Sequence, residues 1–301
     1  MYRIGKKVRV VVLDSWAGPL HSVYEASFPN VQFSSWQHSS LNNEPCHPHG
    51  GWVASLVCQQ IPDHKSIELT FIRIFDSSGG NALDDAQWDE TMEKVAMINP
   101  GYVCCSWGMA DGDSPLGALT QQIMFDEFWL SQWKGATKGG DVFWAAGNDD
   151  ENDKDFDTDA PQKFTGDDPR QHIIGSDRFS GVPSRFSGDG PHIDVMYPGE
   201  KTYSRDPFDG GWVKWSGTSA AAPAALGDIV ANDIGHGWSV KEYWKSAASR
   251  AKNYVGMTER HNKAGWGSMN FAFERNILQT GRWPSLASKA VLGIRSPITK
   301  W

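Results

Sequence analysis

The chain has 301 residues, enough for one large α/β domain or two small ones. With 36 acidic against 28 basic residues its formal net charge is −8, and no Lys/Arg-rich block interrupts that balance, which argues against nucleic acid as a partner. Hydrophobic residues make up 40% and charged residues 21%, an ordinary soluble composition apart from 15 tryptophans, which read as packing residues.

The chain opens MYRIGKKVRVVVLDS, a basic patch followed by a short apolar run that ends at Asp14. That run is too short for a secretory core or a membrane span, and nothing later approaches a span, so no membrane partner is expected. Because Asp14 lies so close to Met1, a strand is expected to begin almost at once, with no leader or propeptide and a cytoplasmic location. Four cysteines agree with a reducing compartment. Cys46 is expected to be a structural thiol, although its nearness to His49 would also suit sensitivity to thiol reagents. Cys104 and Cys105 are adjacent in a predicted strand, so they face opposite sides of a sheet and suit small buried positions.

The apolar runs Val8 to Leu13, Leu69 to Ile74, Tyr102 to Cys105 and Val142 to Ala146 are continuous rather than alternating, as parallel strands buried on both faces require. Between them lie helical patterns at Trp52 to Gln60, Ala86 to Ile98 and Leu116 to Trp133. The order predicts an α/β fold, a doubly wound, mostly parallel sheet with helices on both faces, in a single domain. Sites in such sheets form beyond the carboxyl ends of the strands. Asp14 ends the first predicted strand, Ser106 the third and Gly147-Asn148 the fourth. The acidic run Asp149 to Asp159, DDENDKDFDTD, reads as an exposed loop.

Three segments carry residues suited to nucleophilic catalysis, each with a plainer reading beside it. GTSAAAP, Gly217 to Pro223, sets Ser219 after a glycine turn, where a serine is ordinarily a helix N-cap. HPHGGWVASLV, His47 to Val57, sets His49 before two glycines and an amphipathic helix, where a lone histidine is ordinarily a capping or surface residue. In VVVLDS, Asp14 follows a buried strand, where a carboxylate needs a hydrogen-bond partner such as an imidazole, yet a strand-end aspartate also forms turns. The conjunction is what counts, because Asp, His, Ser is one of the chain orders in which this triad occurs.

These segments resemble the motifs of the subtilases. LDS is similar to the family's Asp motif, HGGWVA to its HGTHVA-like motif and GTSAAAP to its GTSMASP-like nucleophile motif. SWG at Ser106, Trp107 and Gly108 is similar to the substrate-binding SLG strand, and AAGN at Ala145, Ala146, Gly147 and Asn148 to the oxyanion segment. SRFSGDGPHIDVMYPG, Ser184 to Gly199, and AGWGSMN, Ala264 to Asn270, continue the match in register. Two departures stand out: Gly51 replaces a threonine, which would loosen that turn, and Ala220-Ala221-Ala222 replaces Met-Ala-Ser, a small-for-small change.

The resemblance implies a catalytic domain over residues 1–275, with the tail 276–301 packed on it. It implies a serine endopeptidase with Asp14, His49 and Ser219 as triad and Asn148 as oxyanion donor, needing no cofactor for the chemistry. Its partner would be an extended peptide or protein substrate, lying along Ser106-Trp107-Gly108 and a second edge at Ser78, Gly79 and Gly80. Asp149, Asp157 and Asp159 would then stand near the first specificity pocket and favour Arg or Lys before the cleaved bond. The same carboxylates also suit a solvated loop or a structural Ca²⁺ site. Two rival functions fit the same motifs: a silent peptide-binding module, and a peptidase whose acyl-enzyme is intercepted for ligation or cyclisation. Restraint without a propeptide leaves room for a regulatory partner protein.

Overall fold

The computed structural model describes residues 7–78, 83–108, 130–137, 139–148, 168–178, 181–248 and 265–269. In chain order the elements are β1 (Val8–Asp14), α1 (Ser22–Ala26), β2 (Val31–Gln37), α2 (His49–Gln60), β3 (Ile67–Arg73), α3 (Asp85–Ile98) and β4 (Tyr102–Cys105). They continue as α4 (Leu130–Thr137), β5 (Asp141–Ala145), β6 (Gln171–Asp177), β7 (Val195–Pro198), β8 (Thr202–Arg205), β9 (Trp212–Trp215), α5 (Thr218–Ala231) and α6 (Trp238–Ala248). β1 to β7 form one sheet in the order β2-β3-β1-β4-β5-β6-β7, with every pairing parallel, and β8 and β9 form a separate antiparallel hairpin.

The continuous apolar runs behave as their pattern requires. Alternate residues of β1 serve opposite faces: Val10 and Val12 join a core with α2, α5 and α6, while Val11 and Leu13 join a second core with α3 and α4. Cys104 and Cys105 divide between those cores in the same way, and both are free thiols. The strands that the apolar runs did not predict lack such runs for physical reasons. β2, VQFSSWQ, lies at the sheet edge with its serines exposed. β6, QHIIGSD, is fully buried yet half polar, and two of its polar side chains are paired inside: His172 reaches Asp141 at 2.8 Å and Gln171 accepts from the Trp144 indole at 2.7 Å.

The winding positions the site. From β1 the chain goes out to the edge strand β2, comes back inward to β3 beside β1, and then crosses to the other flank of β1 as β4. Such a switch point opens a crevice beyond the strand ends, here between the end of β1 and the end of β4. The buried helix α5, rich in alanine, runs beneath it and packs on α2, with Gly227 so close to Val57 and Gln60 that a Cβ there would lie 2.7 Å from Gln60. Of the predicted helix over Leu116 to Trp133, the described part begins at Leu130 and continues to Thr137.

Candidate active site

Asp14 is the last residue of β1 and is buried at 1% exposure. Its Oδ1 accepts from the Ser15 N–H at 2.7 Å and faces the His49 Nδ1 at 2.9 Å, with Oδ2 at 3.1 Å from the same nitrogen. A carboxylate in front of Nδ1 requires the proton there, which leaves Nε2 as the basic nitrogen. The Ser15 hydroxyl lies 2.9 Å from Asp14 Oδ1 and 3.1 Å from the His47 carbonyl, and it accepts from the Gly50 N–H at 3.2 Å. One serine thus ties the strand end to the start of the histidine helix.

His49 is the first residue of α2, which begins there rather than at Trp52, and the helix is buried on all sides from Gly50 to Gln60 rather than amphipathic. The glycine pair allows its depth. A Cβ on Gly50 would lie 3.1 Å from the Asp14 Cβ, and one on Gly51 would lie 2.4 Å from the Pro207 Cγ in the β8–β9 turn. Gly51 therefore does not loosen a turn; it admits the proline against the first turn of the helix. Trp215 meets the His49 ring edge-on at 5.4 Å, and Trp52 stands 5.8 Å from Trp215.

Ser219 is the second residue of α5, and the helix cap is Gly217, so the N-cap reading of this serine does not hold. Its hydroxyl donates to the Ser106 carbonyl at 2.9 Å. Handing that proton to an imidazole requires the hydroxyl to turn away from this acceptor. The backbone N–H of Ser219 belongs to the first helical turn, which has no intrahelical acceptor, at the positive end of α5.

Asn148 follows β5 across Ala146 and Gly147, whose φ of 103° is a left-handed conformation that glycine supplies. The Thr218 N–H donates to Asn148 Oδ1 at 2.8 Å, so the amide oxygen is committed and the NH₂ group points elsewhere. A Cβ on Gly217 would touch that group, 3.6 Å from Nδ2, and the glycine keeps that flank clear.

A cavity of about 250 Å³ brings Asp14, His49, Asn148 and Ser219 together with Ser106, Trp107, Gly108, Ala145 and Gly147. Ser15, His47, Phe75 and Thr218 also line it, and motif reading had passed over them. Ser15 and Thr218 had a signal available, since each stands beside a chemistry-bearing residue; His47 and Phe75 had none. Burial and the neighbouring His49 push His47 down to about 4, so it is neutral at neutral pH. Ser78 is described and lies outside the cavity lining, its N–H donating to Asp76 at 2.8 Å. Gly79, Gly80, Asp149, Asp157 and Asp159 lie outside the described residues. Ala146 is fully buried behind the cavity wall. Cys46 is not in the lining; its sulfur accepts from the buried Arg73 at 3.6 Å.

Among the described residues no group of three or more His, Cys, Asp or Glu is placed to hold a metal ion, and no helix is long and apolar enough to cross a membrane. A larger hollow of about 550 Å³ opens at the opposite end of the sheet, where Lys7, Arg9 and Lys65 are already paired with Glu68 and Asp233.

The family model of the subtilases matches residues 5–267. The chain belongs to the subtilase family. It is a serine endopeptidase. Solved structures agree on the fold of this subtilase at low identity. A lanthipeptide protease superposes with a TM-score of 0.66 at 17% identity, covering 89% of this chain and 87% of that one. A cold adapted subtilisin-like serine proteinase gives 0.57 at 19%, covering 85% and 87%. A prenylagaramide maturation protease gives 0.56 at 16%, covering 90% and 93%. No curated protein matches in sequence.

Proposed function

We propose that this subtilase cleaves extended peptides through an acyl-enzyme formed on Ser219. The observation that carries this reading is the Asp14–His49 contact of 2.9 Å opening into the same cavity as Ser219 and Asn148. Ser219 attacks the scissile carbonyl once its proton passes to His49 Nε2, and His49 returns that proton to the leaving amine. Asp14 keeps the tautomer and stabilises the imidazolium. The Asn148 amide and the Ser219 N–H receive the oxyanion. The substrate backbone adds along Ser106 to Gly108. A fluorophosphonate probe should label the protein and lose its target in Ser219→Ala; an unlabelled wild-type protein with intact fold would favour the silent binding module.

We further propose a preference for Arg or Lys before the cleaved bond. Its support is the acidic run that follows Asn148, itself a residue of the cavity lining, directly in the sequence. A peptide panel varied at that one position tests it, and a preference for large apolar residues would sink it. Two fold neighbours are a lanthipeptide protease and a maturation protease, so a narrow peptide-precursor substrate is the class we infer. Mass analysis of the products separates hydrolysis from ligation or cyclisation.

A further inference from the structure

β1 pairs with β4 only over Val10 to Val12 opposite Tyr102 to Cys104. On its other flank β1 stays paired with β3 as far as Asp14, and the Ile74 N–H then takes the Asp14 carbonyl at 2.8 Å. Strand carbonyls alternate in direction, so the Leu13 carbonyl points to the β4 side, where the ladder has already stopped. Its donor is a side chain. The indole Nε1–H of Trp107 reaches the Leu13 oxygen at 2.9 Å and stands in for the N–H that a longer β4 would have supplied.

Trp107 cannot easily swing out of that bond. Its ring meets Phe75 at 5.7 Å, Trp88 at 6.3 Å and Trp144 at 5.3 Å, each edge to face. One residue earlier, the Ser106 carbonyl accepts the Ser219 hydroxyl at 2.9 Å. The Ser106-Trp107 pair therefore touches both ends of the machinery, the nucleophile through its backbone and the Asp14 strand end through its indole. Asp14 has only two side-chain torsions, so the direction of its carboxylate follows the backbone at Leu13 and Asp14.

We propose that Trp107 is a positioning residue of the triad: its indole N–H holds the Leu13 carbonyl and so fixes the aim of the Asp14 carboxylate on His49 Nδ1. This rests on the triad reading above. A phenylalanine or leucine at the same place would fill the aromatic box but could not donate, and misplacement of a catalytic group by about 1 Å costs on the order of 10² in rate.

The test is steady-state kinetics on Trp107→Phe beside the wild type, together with the rate of inactivation by a fluorophosphonate, which does not use the extended substrate edge. The expected result is a kcat about tenfold lower, the scale of one neutral hydrogen bond, with KM within about twofold and inactivation slowed by the same factor. Trp88→Phe changes a ring of the same box and is expected to leave kcat within about twofold. Should Trp107→Phe fold poorly, benzothienylalanine at position 107 keeps the ring shape and removes only the N–H, and it is expected to reproduce the kcat loss. An unchanged kcat in the isostere, a rise in KM alone, or an equal loss in Trp88→Phe would each overturn the proposal. Failure of the wild type itself to react, with Ser219→Ala indistinguishable from it, would overturn the triad reading instead.

Discussion

At the scale of single residues, two groups of the proposed machinery are aimed by partners that also connect to the segment carrying another. Asn148 is turned by the Thr218 N–H, one residue before Ser219, and Asp14 is held by Ser15, which also reaches the histidine helix. The amide is thereby set in place before substrate arrives, and that preorganisation is what gives an oxyanion donor its worth. Asn148→Ala should lower kcat by on the order of 10²–10³ with little change in KM, and a matching rise in KM would show a ground-state contact instead. Asp14, His49, Asn148 and Ser219, which the fold brings to one cavity, were legible in the sequence as candidates because their chemistry is in the side chain and their motifs are local. Thr218 and Ser15 were half legible, being neighbours in those motifs. Trp107 was read only as part of a substrate edge, because its bond to Leu13 joins positions 94 residues apart.

At the scale of elements, the start of α2 decides where His49 stands. Its first turn is pressed between the end of β1 and Pro207, with Gly50 and Gly51 as the only residues thin enough for both approaches. Adding one methyl at Gly51 puts it 2.4 Å from the proline ring, which belongs to a rigid turn rather than to a flexible side-chain end. Overpacking of this kind costs about 1–3 kcal/mol. Alanine recovers up to about 1 kcal/mol of helix propensity over glycine, so the clash wins. Gly51→Ala should lower Tm and kcat together, and Pro207→Gly in the same chain should restore much of both; a Gly51→Ala protein as stable as the wild type would remove this account. The sequence pattern found the helix but not its first residue or its all-round burial, since both follow from the hairpin and α5 packing over it.

At the scale of the whole molecule, one buried acid links stability to pH. Asp177 ends β6 with its carboxyl buried, and burial pushes it up to about 7 from an ordinary 3.8. The folded value lies above the unfolded one, so the contribution of the neutral acid is complete below about 3.8 and is lost as pH rises through about 7. Asp177→Asn removes the titration. The Tm advantage of the variant over the wild type should therefore widen between about pH 4 and pH 8, and a constant difference would sink the assignment. The sequence by itself determined the parallel α/β sheet, because strands buried on both faces must be written as unbroken apolar runs. It also marked the candidate reactive groups, because they sit in short motifs at strand and helix ends. Only the tertiary structure decided how those groups are aimed: the Leu13 carbonyl met by an indole, the helix start pressed on Pro207 and the neutral His47 in the cavity wall. The first two are contacts between segments far apart in the chain and the third follows from burial that only the fold creates, and local pattern carries no record of either.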